Sequence, residues 1–124
     1  MPDLTFSFDE NIALIDKTLN VSDSFDIIKR EMEINSKRVV MYYIDGFVTA
    51  AIMQKLMMHL TTIKDFGSNQ RGDLEKFIKT SVPAVEVDAC YSFDKLITMV
   101  LSGCTAMLAD GLGNGAIIID ARSY

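Results

Sequence analysis

The sequence predicts an α/β domain, a mixed sheet of about five strands with helices packed on it, in the order α-β-β-α-α-β-α-β-β. Three observations predict it. Two apolar runs, Val39 to Ile44 and Thr105 to Ala109, end in Asp45-Gly46 and Asp110-Gly111, the way a buried strand leaves a sheet at a turn. Stretches with apolar residues at helical spacing precede and separate these runs. Helix and strand signals alternate through the middle, which predicts parallel strands with helical crossovers, while hairpins at each end add antiparallel edges.

The elements follow in order. Ser7-Phe8-Asp9-Glu10 forms a capping box, with Ser7 accepting from the third helical amide and Glu10 reaching back. Phe8, Ile12, Ile15 and Leu19 then share one face, predicting a helix from Phe8 to Leu19. Asn20 to Ser24 has loop composition. From Asp26 to Ile34 the pattern has period two: Ile28, Met32 and Ile34 lie on one face with Arg30 intruding, and Lys29, Glu31 and Glu33 lie on the other. That is a half-exposed edge strand. Asn35-Ser36 turns the chain into the β-branched and aromatic run Arg38 to Ile44, the more buried half of a hairpin.

Thr49 can cap a helix carrying Met53, Leu56, Met57, Leu60 and Ile63, and Asp73 a short one carrying Leu74, Phe77 and Ile78. Pro83 blocks continuation, and Ala84 to Cys90 reads as a strand. Ser92 caps the cleanest helix, with Phe93, Leu96, Ile97, Val100 and Leu101 on one face and Gly103 as its stop. Strands Thr105–Ala109 and Ala116–Ala121 close the chain, joined by Asp110 to Gly115.

At 124 residues the chain is one domain by length. Its 49% apolar and 23% charged residues exclude disorder. A net charge of −5 excludes nucleic acid as a partner, since phosphate binding needs a basic patch. Residues 1–34 hold eight acidic and three basic side chains against nine of each in the remainder, so the excess acid forms a solvated N-terminal face. Cys90 and Cys104 sit among apolar neighbours and read as reduced core thiols of a cytoplasmic protein. Met1-Pro2-Asp3 begins no signal peptide, and the run from Phe47 to Leu60, broken by Gln54, Lys55 and His59, falls short of the ~20 apolar residues a membrane span needs. The chain stops at Tyr124, close behind the apolar run Ile117 to Ile119, which predicts a domain cut from a longer protein.

The candidate chemistry is sparse. Gly111-Leu112-Gly113-Asn114-Gly115 precedes a strand and lacks a following Lys-Ser/Thr pair, so it reads as a hairpin turn rather than a phosphate loop. His59, the one histidine, has no ligand-spaced cysteine and no marked serine partner, so no metal, cofactor or catalytic set is expected. Met53, Met57 and Met58 read as core filling, or as a pliable partner surface. Asp45 and Asp110, with Gly46 and Gly111, form the candidate ligand-binding set. On neighbouring parallel strands both carboxylates would lie at the carboxyl ends, where α/β sheets bind ligands. The same residues are also what two turns require.

Arg38 to Phe47, Val85 to Asp88, Leu101 to Gly111 and Ile117 to Tyr124 together resemble the N-terminal domain of the spore germination receptor A-subunit family, of GerA type. Asp23 to Glu31 looks closer to the stage V sporulation branch than to the nutrient receptors. The resemblance runs from about Ser24 onward, leaving residues 1–24 outside its clearest part. It implies the first soluble subdomain of a longer membrane protein on the cytoplasmic, spore-core face of the spore inner membrane. It implies no enzyme activity. Its partners would be other subunits of a germination membrane complex and its own C-terminal portion, which carries the membrane helices. Two functions stand: a regulatory or assembly domain acting in germinant signalling and ion or dipicolinate release, and a small-molecule lobe that completes a germinant site with a second subdomain.

Overall fold

The structure is a computed structural model and describes residues 3–5, 7–23, 26–34, 37–45, 86–110 and 115–120. Helix α1 spans Phe8–Leu19 and a short 3-10 turn spans Val21–Asp23. Strands β1 and β2 are Ile27–Ile34 and Lys37–Ile44. Strand β3 is Glu86–Cys90, helix α2 is Phe93–Leu101, and β4 and β5 are Thr105–Ala109 and Ala116–Asp120. The helices expected at 49–63 and 73–78 lie outside the described residues, and so does His59.

The sheet order is β1-β2-β4-β5-β3. Each of the four adjacent pairings is antiparallel, so the parallel neighbours expected for the middle of the chain are not there. Part of that expectation survives in another form. β3 and β4 are both antiparallel to β5, hence parallel to each other, and α2 crosses over between them. The final strand returns by a hairpin and inserts between the two. Sequence alternation reports the crossover but not which strand fills the gap.

One face of the sheet carries Val40, Tyr42, Ala106, Leu108, Ala116 and Ile118, and packs with Ile15 and Leu19 of α1 and Phe93, Leu96 and Val100 of α2. The opposite face, with Val39, Met41, Met107, Ile117 and Ile119, is also buried. Burial on both faces is why the central strands read as unbroken apolar runs, although such runs are commonest in parallel sheets. Cys90 and Cys104 are both buried and outside any disulfide, as expected of reduced core cysteines. Burial raises the Cys90 thiol pKa, and the thiol donates to the Ser92 carbonyl at 3.2 Å.

The helix ends are built locally. Ser7 Oγ accepts from the Glu10 amide at 3.3 Å, one half of the capping box. The other half is supplied by Thr5, whose Oγ1 accepts from the Ser7 amide at 3.1 Å. Buried Asn11 then pins the entering chain: its Oδ1 accepts from Thr5 N at 2.9 Å and its Nδ2 donates to Thr5 O at 2.8 Å. Leu4 is thereby tucked into the core, its amide donating to Tyr91 O at 2.9 Å.

At the end of α2, Gly103 adopts φ 107, and Cys104 N donates back to Met99 O at 3.0 Å. A side chain at that φ is strained, so Gly103→Ala should lower stability by roughly 1–3 kcal/mol in urea denaturation.

Candidate functional site

The structure separates the two aspartates that the sequence pairs. Asp110 follows β4, its amide donating to Arg38 O at 2.8 Å at the start of β2. Asp45 follows the end of β2, its amide donating to Asp26 O at 2.8 Å. Because β2 and β4 are antiparallel, the two carboxylates stand at opposite ends of the sheet, seven residues of β2 apart, roughly 23 Å. The shared cleft that parallel strands would have made is therefore absent among the described residues. Gly46 and Gly111 lie outside them.

What the fold does assemble is a polar seam where α1 crosses the β1–β2 hairpin. Asp16, one residue past Ile15 on α1, accepts from the Tyr42 hydroxyl at 2.7 Å with Oδ1 and from Lys29 Nζ at 2.7 Å with Oδ2. Lys29 also reaches Glu31 Oε1 at 3.3 Å. Lys29 stands directly opposite Tyr42 in the β1–β2 register, so both point at the helix. The strand face that reads as solvent-exposed is thus the one α1 covers.

Burial, then the hydrogen bond and charge of Asp16, raises the Tyr42 pKa far above the usual tyrosine value. Desolvation lowers the Lys29 pKa, but the hydrogen bond and charge of Asp16, with help from Glu31, outweigh it and leave that pKa raised. Both groups are held in their protonated forms, which makes the seam a clamp rather than a source of base or nucleophile.

A second cluster surrounds Arg38. Its Nη1 lies 2.9 Å from Asp9 Oδ1, its Nη2 lies 3.8 Å from Asp110 Oδ2, and its guanidinium sits 4.9 Å from the centre of the Phe8 ring. The hydrogen bond to Asp9, above all, raises the Arg38 pKa. Beside this cluster, between the first turn of α1 and the hairpin, runs an open groove of about 440 Å3. Among the described residues no three His, Cys, Asp or Glu side chains are placed to hold a metal ion.

Asp16, Lys29, Tyr42 and Arg38 were not legible as a group. The one sequence signal was register: a hairpin pairing Lys29 with Tyr42 places a cation and a phenol on one face, beside the carboxylate that interrupts the α1 stripe.

The fold and its polar clusters define a small α/β domain with a charged groove beside its edge hairpin. The chain is a member of the Bacillus/Clostridium GerA spore germination protein family, which matches residues 14–124. Stage V sporulation protein AF of Bacillus subtilis (strain 168) is 28% identical to it over 106 residues, covering 86% of this chain. The chain spans 21% of the length of that relative. The N-terminal domain of the A subunit of the Bacillus megaterium spore germinant receptor GerK3 superposes with a TM-score of 0.69, at 20% identity, over 99% of this chain and 98% of that one. That likeness speaks for the fold.

Proposed function

We propose that this chain is a non-enzymatic regulatory or assembly domain of a spore germination membrane protein. The observation that carries this reading is the family match over residues 14–124. The Bacillus subtilis relative is about four times as long as this chain, 106 residues being 21% of it, which supports a first soluble subdomain of a larger protein. Its place would be the cytoplasmic, spore-core face of the inner membrane. Its partners would be other subunits of a germination complex and the membrane-bearing remainder of its own protein, and its role would lie in germinant signalling and in ion or dipicolinate release.

The groove and the tie between Asp110 and Arg38 favour a second reading, a lobe that binds a small-molecule germinant with Asp110 and Gly111 at one sheet end, or Asp45 and Gly46 at the other. A thermal-shift and ligand-observed NMR panel of amino acids, simple sugars and calcium dipicolinate separates the two. The assembly reading expects no ligand to shift the melting temperature. A reproducible shift that disappears in Asp110→Ala or Asp45→Ala would replace it with the binding lobe.

A further inference from the structure

We propose that the groove between the start of α1 and the β1–β2 hairpin is a docking slot for a basic, apolar-anchored segment of a partner protein. The inference rests on the assembly reading and names the surface that would serve it. The floor holds Phe8 and Ile12, each only half-buried, and the rim holds Asp9, Glu31 and Glu33. The carboxylates of Asp9 and Glu31 are 74% and 69% exposed.

Two of the rim carboxylates are paired, Asp9 with Arg38 and Glu31 with Lys29, while Glu33 stays unpaired for a specific reason and keeps the rim net negative. Among the described residues Arg38 is the single basic residue lining the groove, and it stands directly opposite Glu33 in the β1–β2 ladder. Cross-strand partners of opposite charge normally pair. Here the guanidinium turns instead to Asp9 and Asp110 and lies over the Phe8 ring. Glu33 is left without an ion pair among the described residues. The groove therefore offers apolar anchorage inside a negative field, which selects Lys or Arg flanking apolar side chains. Among the described residues the carboxylates are not gathered for a metal ion, so a peptide carrying Lys or Arg fits the groove's chemistry better than a compact cation.

The test is an NMR titration of the isotope-labelled 124-residue chain with an acetylated, amidated peptide of alternating lysine and leucine, and with its glutamate–leucine counterpart. The lysine peptide should perturb amides of residues 8–12 and 31–40, and the glutamate peptide should not. Glu33→Lys should weaken binding at least about tenfold, or ~1.4 kcal/mol, and Ile12→Gln should weaken it too. Asp23→Lys, the same charge change about 18 Å away beyond the far end of α1, should leave affinity unchanged. Equal losses in Glu33→Lys and Asp23→Lys, shifts scattered over the acidic surface, or no binding at all would each overturn the slot. Subunit association that persists when the peptide result is negative would remove the slot alone, whereas loss of association itself would remove the assembly reading.

Discussion

Phe93→Ala is expected to lower folding stability by about 3–5 kcal/mol. Phe93 is the first residue of α2, 1% exposed, and belongs to the cluster that joins both helices to the sheet. Removing its ring takes apolar surface from the core and leaves a cavity under the helix start. The cavity cannot close by sliding the helix, because α2 is held at both ends. Ser92 Oγ accepts from Lys95 N at 3.3 Å, and Gly103 and Cys104 donate back to Val100 and Met99 at 3.0 Å each. A domain of this size has only about 5–15 kcal/mol to lose, so the variant should be marginal at room temperature. Urea denaturation followed by circular dichroism measures the shift in midpoint. A loss below about 1 kcal/mol would show that the site collapses and that α2 is less firmly fixed than its caps imply.

How much of this was legible in the sequence follows from which residues speak locally. α1 begins and ends where its stripe and Ser7 place it, and α2 where Ser92 and Gly103 place it, because caps and periodicity act within one turn. β4 matches its expected span, and the β1–β2 and β4–β5 hairpins formed as read. What could not be read is the pairing of β5 with β3, a contact between segments whose sequences carry no mark of each other. The candidate site was misplaced by a different pairing. Asp45 and Asp110 share one chemistry, but the strand direction that would have brought them together is set by β2 lying antiparallel to β4.

The alternation of β1 misled for a related reason. Lys29, Glu31 and Glu33 alternate with Ile28 and Met32, and polar residues on a strand ordinarily face water. Here Lys29 is turned inward beneath α1 and is satisfied by Asp16. Inward-pointing charge on an edge strand is a recognised guard against edge-to-edge pairing. The device is invisible until the helix that covers it is in place, since the alternation alone puts Lys29 on the exposed face of a half-exposed strand.

That same seam predicts alkaline unfolding. Tyr42 is fully buried with its hydroxyl on Asp16, and its folded pKa lies above the unfolded value near 10. A raised pKa means that the folded chain holds this proton more tightly than the unfolded chain. The resulting stability is complete below about pH 10 and is lost as pH rises through the gap, at up to ~1.4 kcal/mol per pH unit. Lys29 acts in the same direction, starting from its unfolded value of 10.5. The wild-type chain should therefore lose stability steeply between about pH 10 and 12, measured as melting temperature against pH. Tyr42→Phe removes the titrating phenol and keeps the ring in the core, so its curve should be flatter over that range while sitting lower at pH 7 by roughly 1 kcal/mol for the lost hydrogen bond. Parallel curves for the two proteins would mean that Tyr42 does not hold its proton through Asp16, and the clamp across α1 and the hairpin would have to rest on Lys29 alone.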